Sequence, residues 1–326
     1  MNLFQTNYKG FLLSLLIGIS AWFLSFYTPS GFNSILLALV LGMLVGNIIL
    51  LPPAFQPGIS FTSGKLLEIS ILFLAFDISY THIAKLGAGS FSSLVLVVLL
   101  ILPATYYLAG KFRCPGSTGW LIGFGTAICG SSAIAALTPA VSKNKEEAGI
   151  AIAVTNLLGA AGMVVLPLLL LQTDLSPIQS GLLLGGSLHS VGNVAGSGYS
   201  ISTEVGEAAI TFKLARVALL SPALIFFKML IHRRENSNWK QHFTLPWYLW
   251  SFIIITVCSS VITIPPFFKE LMETSGKLVL TIAMAAIGLN VSFRKLYQSG
   301  KRGVIFGLMI FMLQIALLLI LALLFF

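Results

Sequence analysis

Thr118–Ala140, TGWLIGFGTAICGSSAIAALTPA, is apolar enough to lie in a membrane, yet too rich in glycine and small polar residues to be an ordinary span. Ser180–Ser202, SGLLLGGSLHSVGNVAGSGYSIS, repeats the pattern, and without a gap Gly119 falls on Gly181, Gly123 on Gly185 and Gly130 on Gly192. Irregular backbone at membrane depth leaves amides and carbonyls unpaired, so it persists only inside protein or beside a water-filled cavity. Paired glycine-interrupted segments in matching positions point to the binding site of a secondary transporter. The pair therefore predicts an all-α polytopic membrane protein, an inverted-repeat secondary transporter with two discontinuous or re-entrant segments.

The rest of the chain fits that class. It is 57% hydrophobic and 9% charged, with mean hydropathy +0.96, far from the charge content of a soluble domain. Apolar runs suited to a hydrocarbon core of about 30 Å predict spans near 10–27, 32–51, 64–82, 89–110, 146–171, 204–231, 246–264, 274–293 and 303–326. Nothing is left over for a soluble domain, so residues 1–326 read as one transmembrane unit with its longest polar loop at 232–242. The run after Lys9 passes through Trp22 and Tyr27 without a small-x-small cleavage pattern, which predicts a retained first span.

The net charge of +9 does not indicate nucleic acid, because the basic residues cluster in short loops: Lys111 and Arg113; Arg233, Arg234 and Lys240; Arg294, Lys295, Lys301 and Arg302. That bias predicts a cytoplasmic N-terminus and an external C-terminus in a bacterial inner membrane. Two further similarities are present. Thr62–Gly87 resembles Thr274–Gly300, both opening Thr-Ser-Gly-Lys, and Glu147–Ile150 resembles Glu207–Ile210. If both irregular segments are hairpins, Lys143 and Lys145 join the basic inner side and every repeat pair becomes inverted. Crossing helices unwound at the centre are the alternative.

Helix N-termini attract anions without a cationic side chain. Gly130-Ser131-Ser132 and Gly192-Asn193 are where such ends are expected, with hydroxyl and amide donors at hand. Gly119, Gly123, Gly181 and Gly185 also suit plain helix packing. Lys213 and Arg216, three apart on one face within an apolar run, would attract an anion; they equally suit structural pairing with Asp77, Glu68 or Glu207. His189 could titrate and couple transport to protons, or be an interior hydrogen-bonded histidine. Asp77 could bind a cation or proton. Asn156 and Asn290 are intramembrane amides suited to a cavity wall or to interhelix contact. The three cysteines form no metal pattern, and no metal or cofactor is expected.

Ala127–Ala136 (AICGSSAIAA) followed by Glu146-Glu147-Ala148 resembles the hallmark of the sulfate exporter family, bacterial membrane proteins that are largely uncharacterised. Leu41–Asn47, Lys213–Val217 and Ala283–Leu289 add to the resemblance, which covers nearly the whole chain in the family's order. It implies a place in the cation/proton antiporter and anion transporter superfamily, whose members are inverted-repeat carriers with elevator-like motion. In the second irregular segment the family shows His-Glu followed by Gln. His189 matches, whereas Ser190 stands at the acidic position and Asn193 at the glutamine position.

The resulting expectation is a transporter of a small inorganic or organic anion, sulfate or a related sulfur oxyanion by resemblance. Gly130, Ser131, Ser132, Gly192, Asn193, Lys213 and Arg216 would hold the substrate. His189, Asp77, Asn156 and Asn290 would serve a coupling proton or sodium ion. The lipid bilayer is the chain's surroundings, and a homodimer is left open. A cation antiporter centred on Asp77 is the alternative in the same class, and an anion channel or intramembrane enzyme the alternative of another class. The chain has no P-loop, no Gly-x-Ser-Gly nucleophile and no Asp-rich metal motif, so it is read as not an enzyme.

Overall fold

The computed structural model describes residues 3–27, 34–49, 51–76, 87–112, 114, 117–142, 145–231, 247–262, 264–291 and 301–325, and no β-strand occurs among them. Asp77 and the polar loop 232–242 lie outside the described residues. Among the described residues, five helices are long and apolar enough to cross a membrane: Asn7–Ser25, Gly89–Lys111, Glu146–Leu170, Pro266–Asn290 and Arg302–Phe325. The chain is a multi-pass helical membrane protein.

Two helical bundles lie side by side. The first contains α1 (Leu3–Ser25), α2 (Ser34–Ile48), α3 (Gln56–Phe61), a π turn over Thr62–Leu66 and α4 (Leu67–Leu74). Next along the chain come α5 (Gly87–Lys111), α6 (Thr118–Ala127), α7 (Ser131–Val141), α8 (Lys145–Leu170), α9 (Pro177–Ser187) and α10 (Val191–Ile201). Those six, with α11 (Thr203–Ala218), α12 (Leu220–Ile231) and the last helix, form the second bundle. The chain returns to the first bundle with α13 (Trp247–Val261) and α14 (Pro266–Asn290), and ends in the second with α15 (Lys301–Phe325).

The first bundle is locked by close backbone approach, as small residues permit in a membrane. A methyl group at Gly42 would run into the carbonyl of Ala285, and one at Gly288 into the carbonyl of Leu39, so α2 and α14 touch backbone to backbone. Along α14, Gly276 packs on Leu74 while Asn290 reaches Ser63, so α14 runs antiparallel to the π turn and α4. The two Thr-Ser-Gly-Lys tetrads are wound differently. The first forms the π turn, whereas the second lies inside regular α14 with Lys277 paired to Glu273.

Both irregular segments fold back on themselves. Glu147 Oε2 accepts from Ser117 Oγ (2.5 Å) and the Ser117 amide (3.2 Å) at the start of α6, and from Ser142 Oγ (2.8 Å) at the end of α7. One carboxylate oxygen thus holds both ends, whereas a straight helix of this length would separate them by about 36 Å. In the second segment Gly181 packs on Ala208 and Gly185 on Phe212, so α9 runs with α11. Gly198 packs on Gly206 and Ala209, so α10 runs against it. Gly119 and Gly123 lie against Ala109 and Thr105, close helix packing like that of Gly181 and Gly185.

Helix α8 sets the relation between the hairpins. Its start holds the open end of the first through Glu147. Gly159 faces His189 and Asn193 at the tip of the second, and Met163 O accepts from Ser197 Oγ beyond it at 3.1 Å. The hairpins therefore approach from opposite ends of α8 and meet tip to tip. The expected span 204–231 is bent rather than straight: α11 and the apolar part of α12 meet at 51°. Pro222 has no N–H to give the carbonyl four residues back, so the helix breaks after Ala218.

Two measurements check the hairpin. With the native cysteines removed, Ser117→Cys with Ser142→Cys should be joined by a short bifunctional thiol reagent, while Ser117→Cys with Ser131→Cys should not, as read by mass spectrometry of the purified protein. Glu147→Ala should lower thermal stability by on the order of 1–2 kcal/mol through the lost charged hydrogen bonds.

Candidate functional site

A helix end in an apolar core exposes unpaired backbone groups and half a unit of charge. Both hairpins break in mid-bundle, so four such ends meet there. The first half-helices end in carbonyls. Ile128 O, just beyond α6, accepts from Lys213 Nζ (2.9 Å) and Arg216 Nε (2.6 Å). Leu188 O, just beyond α9, accepts from Lys213 Nζ (2.8 Å) and Arg216 Nη2 (2.5 Å). Gly186 O accepts from Arg216 Nη1 and from Gln314 Nε2 of α15 (2.5 Å). Lys213 and Arg216 have no exposed surface. Their two charges neutralise two negative helix ends and tie the hairpin tips to α11.

The turn of the first hairpin requires glycine. Gly130 has φ 67° and ψ −125°, and a methyl group there would sit 3.3 Å from His189 Cβ of the other tip. His189 is buried beside this contact. Thr126 Oγ1 donates to Ile122 O at 2.9 Å, so at 3.2 Å His189 Nε2 is the donor to Thr126. Its Nδ1 is buried and has no hydrogen-bond partner among the described residues.

The second half-helices present amides instead of carbonyls, and both open on one cavity. It has a volume of about 490 Å³ and lies between the two bundles. Ser131 opens α7, where Gly130 supplies no side-chain cap to the first-turn N–H groups. Ser190 caps α10 by accepting from the Asn193 amide at 3.0 Å. Asn156 of α8 and the Asn193 side chain join this wall, and neither side chain has a hydrogen-bond partner among the described residues.

Facing them across the cavity are Ser63 of the π turn and Asn290 of α14. Gln56 Nε2 donates to Asn290 Oδ1 at 2.9 Å, Asn290 Nδ2 to Ser63 Oγ at 3.1 Å, and Ser63 Oγ to Ser60 O at 3.3 Å, which fixes the polarity of that wall. No charged side chain among the described residues lines the cavity.

The structure thus brings Ser131, Asn156, Asn193 and Asn290 together. Gly130 and Gly192 lie at the hairpin tips, Gly192 against Leu67 and Ile287. Ser132 turns back to Cys129, its Oγ 3.0 Å from the sulfur. Lys213 and Arg216 are committed to carbonyls, and Glu68 bonds Lys65 at 2.9 Å. His189 does not line the cavity. Sequence reasoning does not reach Ser63 or Ser190; the π winding of Ser63 has no sequence signature, whereas the serine before Val-Gly-Asn is readable as an N-cap. It does not reach Gly159 either, though a glycine within an apolar span signals close approach; a methyl there would strike the Asn193 amide.

The family model described as "Conserved hypothetical protein 698" matches residues 9–307, and the chain belongs to that family. A UPF0324 membrane protein of Bartonella henselae is 32% identical over 90% of this chain and 86% of its own length. The UPF0324 inner membrane protein YeiH of Escherichia coli K12 is 29% identical over 92% and 88%. A UPF0324 membrane protein of Lactiplantibacillus plantarum is 30% identical over 94% of both chains. No solved structure matches.

Arg216→Met should be strongly destabilising, by roughly 3 kcal/mol or more, because three hydrogen bonds from a charged group are lost at about 1.5–3 kcal/mol each, although Lys213 and Gln314 still donate to the same carbonyls. Gly130→Ala should cost on the order of 1–3 kcal/mol from the positive-φ backbone alone. Melting of the purified variants in detergent checks both.

Proposed function

We propose that this member of the conserved hypothetical protein 698 family is a secondary active transporter of a small anion, bound in the cavity between the bundles. The observation that carries the reading is the convergence there of two half-helix N-termini with the side chains of Ser131, Asn156 and Asn193, which have no hydrogen-bond partner among the described residues. Each helix end contributes about 0.3–1 kcal/mol to an anion, up to ~2 when partly buried. Each hydrogen bond to a charged group adds about 1.5–3 kcal/mol. Set against an association cost of at least about 4 kcal/mol, the sum suits the millimolar to micromolar affinity of a carrier that must also release.

The full architecture in this reading is nine spans and two inverted hairpins in a bacterial inner membrane, N-terminus cytoplasmic and C-terminus outside. Relatives named as inner membrane proteins support the location. Movement of the hairpin bundle against the first bundle would expose the cavity alternately to the two sides; the bundles meet mainly where α10 touches α2 and α14. Sulfate or a related sulfur oxyanion is the substrate the family resemblance implies, with coupling to a proton or sodium. We read a carrier rather than an enzyme, since His189 bonds Thr126 and not a serine of the cavity.

Thermal-shift screening of the purified protein tests this reading, with sulfate, sulfite, thiosulfate and small carboxylates, with and without sodium, at several pH values. An anion should raise the melting temperature, and the rise should disappear in Ser131→Ala combined with Asn193→Leu. Stabilisation by sodium or pH alone, with no anion effect, overturns the anion reading in favour of a cation site.

A further inference from the structure

The same cavity also constrains the body of its ligand, a point that rests on the anion reading. Its polar groups, Ser131, Asn156, Ser190 and Asn193 on one side and Ser63 and Asn290 on the other, share the lining with apolar side chains: Leu67 and Ile287 of the first bundle and Ile152, Leu157 and Ala160 of α8. This wall begins at the helix end itself: a methyl group on Gly192, in the first turn of α10, would lie 2.9 Å from both Leu67 Cδ2 and Ile287 Cδ1. Atoms attached to an oxyanion at that N-terminus therefore meet hydrocarbon, not water.

The site is more than a helix end. Asn193 is only 5% exposed and lines the cavity, and its side-chain amide has no hydrogen-bond partner among the described residues. The volume, about 490 Å³, falls in the range of roughly 300–1,000 Å³ typical of largely apolar sites for organic ligands. A bare tetrahedral oxyanion would fill only part of this volume and leave Leu67, Ile287 and Leu157 uncovered.

We propose that the cavity is built for an organic anion: one oxyanion head, sulfonate or carboxylate, on a short aliphatic body. The head lies at the N-termini of α7 and α10 among Ser131, Ser190 and Asn193. The body lies along Leu67, Ile287 and Leu157. Sulfate on this account is a poor ligand, binding by its head alone.

The test is a chain-length series on the purified full-length protein: methane-, ethane-, propane- and butanesulfonate, the matching carboxylates, and sulfate, with 1-butanol and butylammonium as controls for non-specific uptake into the detergent belt. Affinity should rise about fourfold per added methylene, the factor for burying one in an apolar site. Butanesulfonate should bind at least tenfold more tightly than sulfate, and the controls should have no effect. Ile287→Asn should flatten the series; the series on the unaltered protein stands alone if that variant does not fold. A flat series, or sulfate binding as tightly as butanesulfonate, overturns the proposal and leaves the anion reading standing. Absence of binding by any anion overturns both.

Discussion

A helix that stops inside a membrane leaves carbonyls with no donor and a negative pole with no counter-charge. Two helices stop that way here, α6 and α9, and both stop against Lys213 and Arg216. Everything else in the second bundle depends on this neutralisation. Without it the hairpin tips could not meet, and Gly130 could not sit against His189. Nor would the amide ends of α7 and α10 be free to face a cavity. The cations go to the ends that need them, and the opposite ends keep their positive poles for solvent or ligand. The polarity of the peptide chain does the sorting: each hairpin necessarily turns a carbonyl end one way and an amide end the other.

The division of labour between the bundles has a similar origin. In the first, glycines bring α2 and α14 into backbone contact, an arrangement that admits no side chain and little adjustment. In the second, helices are short, broken and held by specific hydrogen bonds from Glu147, Arg216 and Gln314. The cavity lies on the seam between a tightly interlocked wall and one assembled from helix ends, and each contributes a different chemistry to it.

Much of this is legible in the sequence. The paired glycine segments locate both breaks, and the alignment of Gly130 with Gly192 places both at hairpin tips. Hydropathy finds the long helices, because burial in lipid demands uniform apolarity. It also runs straight through residues 204–231, where one missing N–H at Pro222 bends the chain without altering its apolar character. The partners of the buried charges are not legible. Carboxylates are the natural candidates for Lys213 and Arg216, yet the acceptors are main-chain carbonyls, which leave no mark in a sequence. Nor does any residue type announce that Ser63 lies on a π turn.

The order of these elements along the chain bears on how the protein is made. The hairpins are synthesised before α11, so during translation the carbonyl ends at residues 128 and 188 exist before residues 213 and 216 have left the ribosome. Chains emerge and fold from the N-terminus onward, but carbonyl ends without donors are costly in hydrocarbon. The carbonyl ends of both hairpins therefore gain their side-chain donors only once α11 has been made.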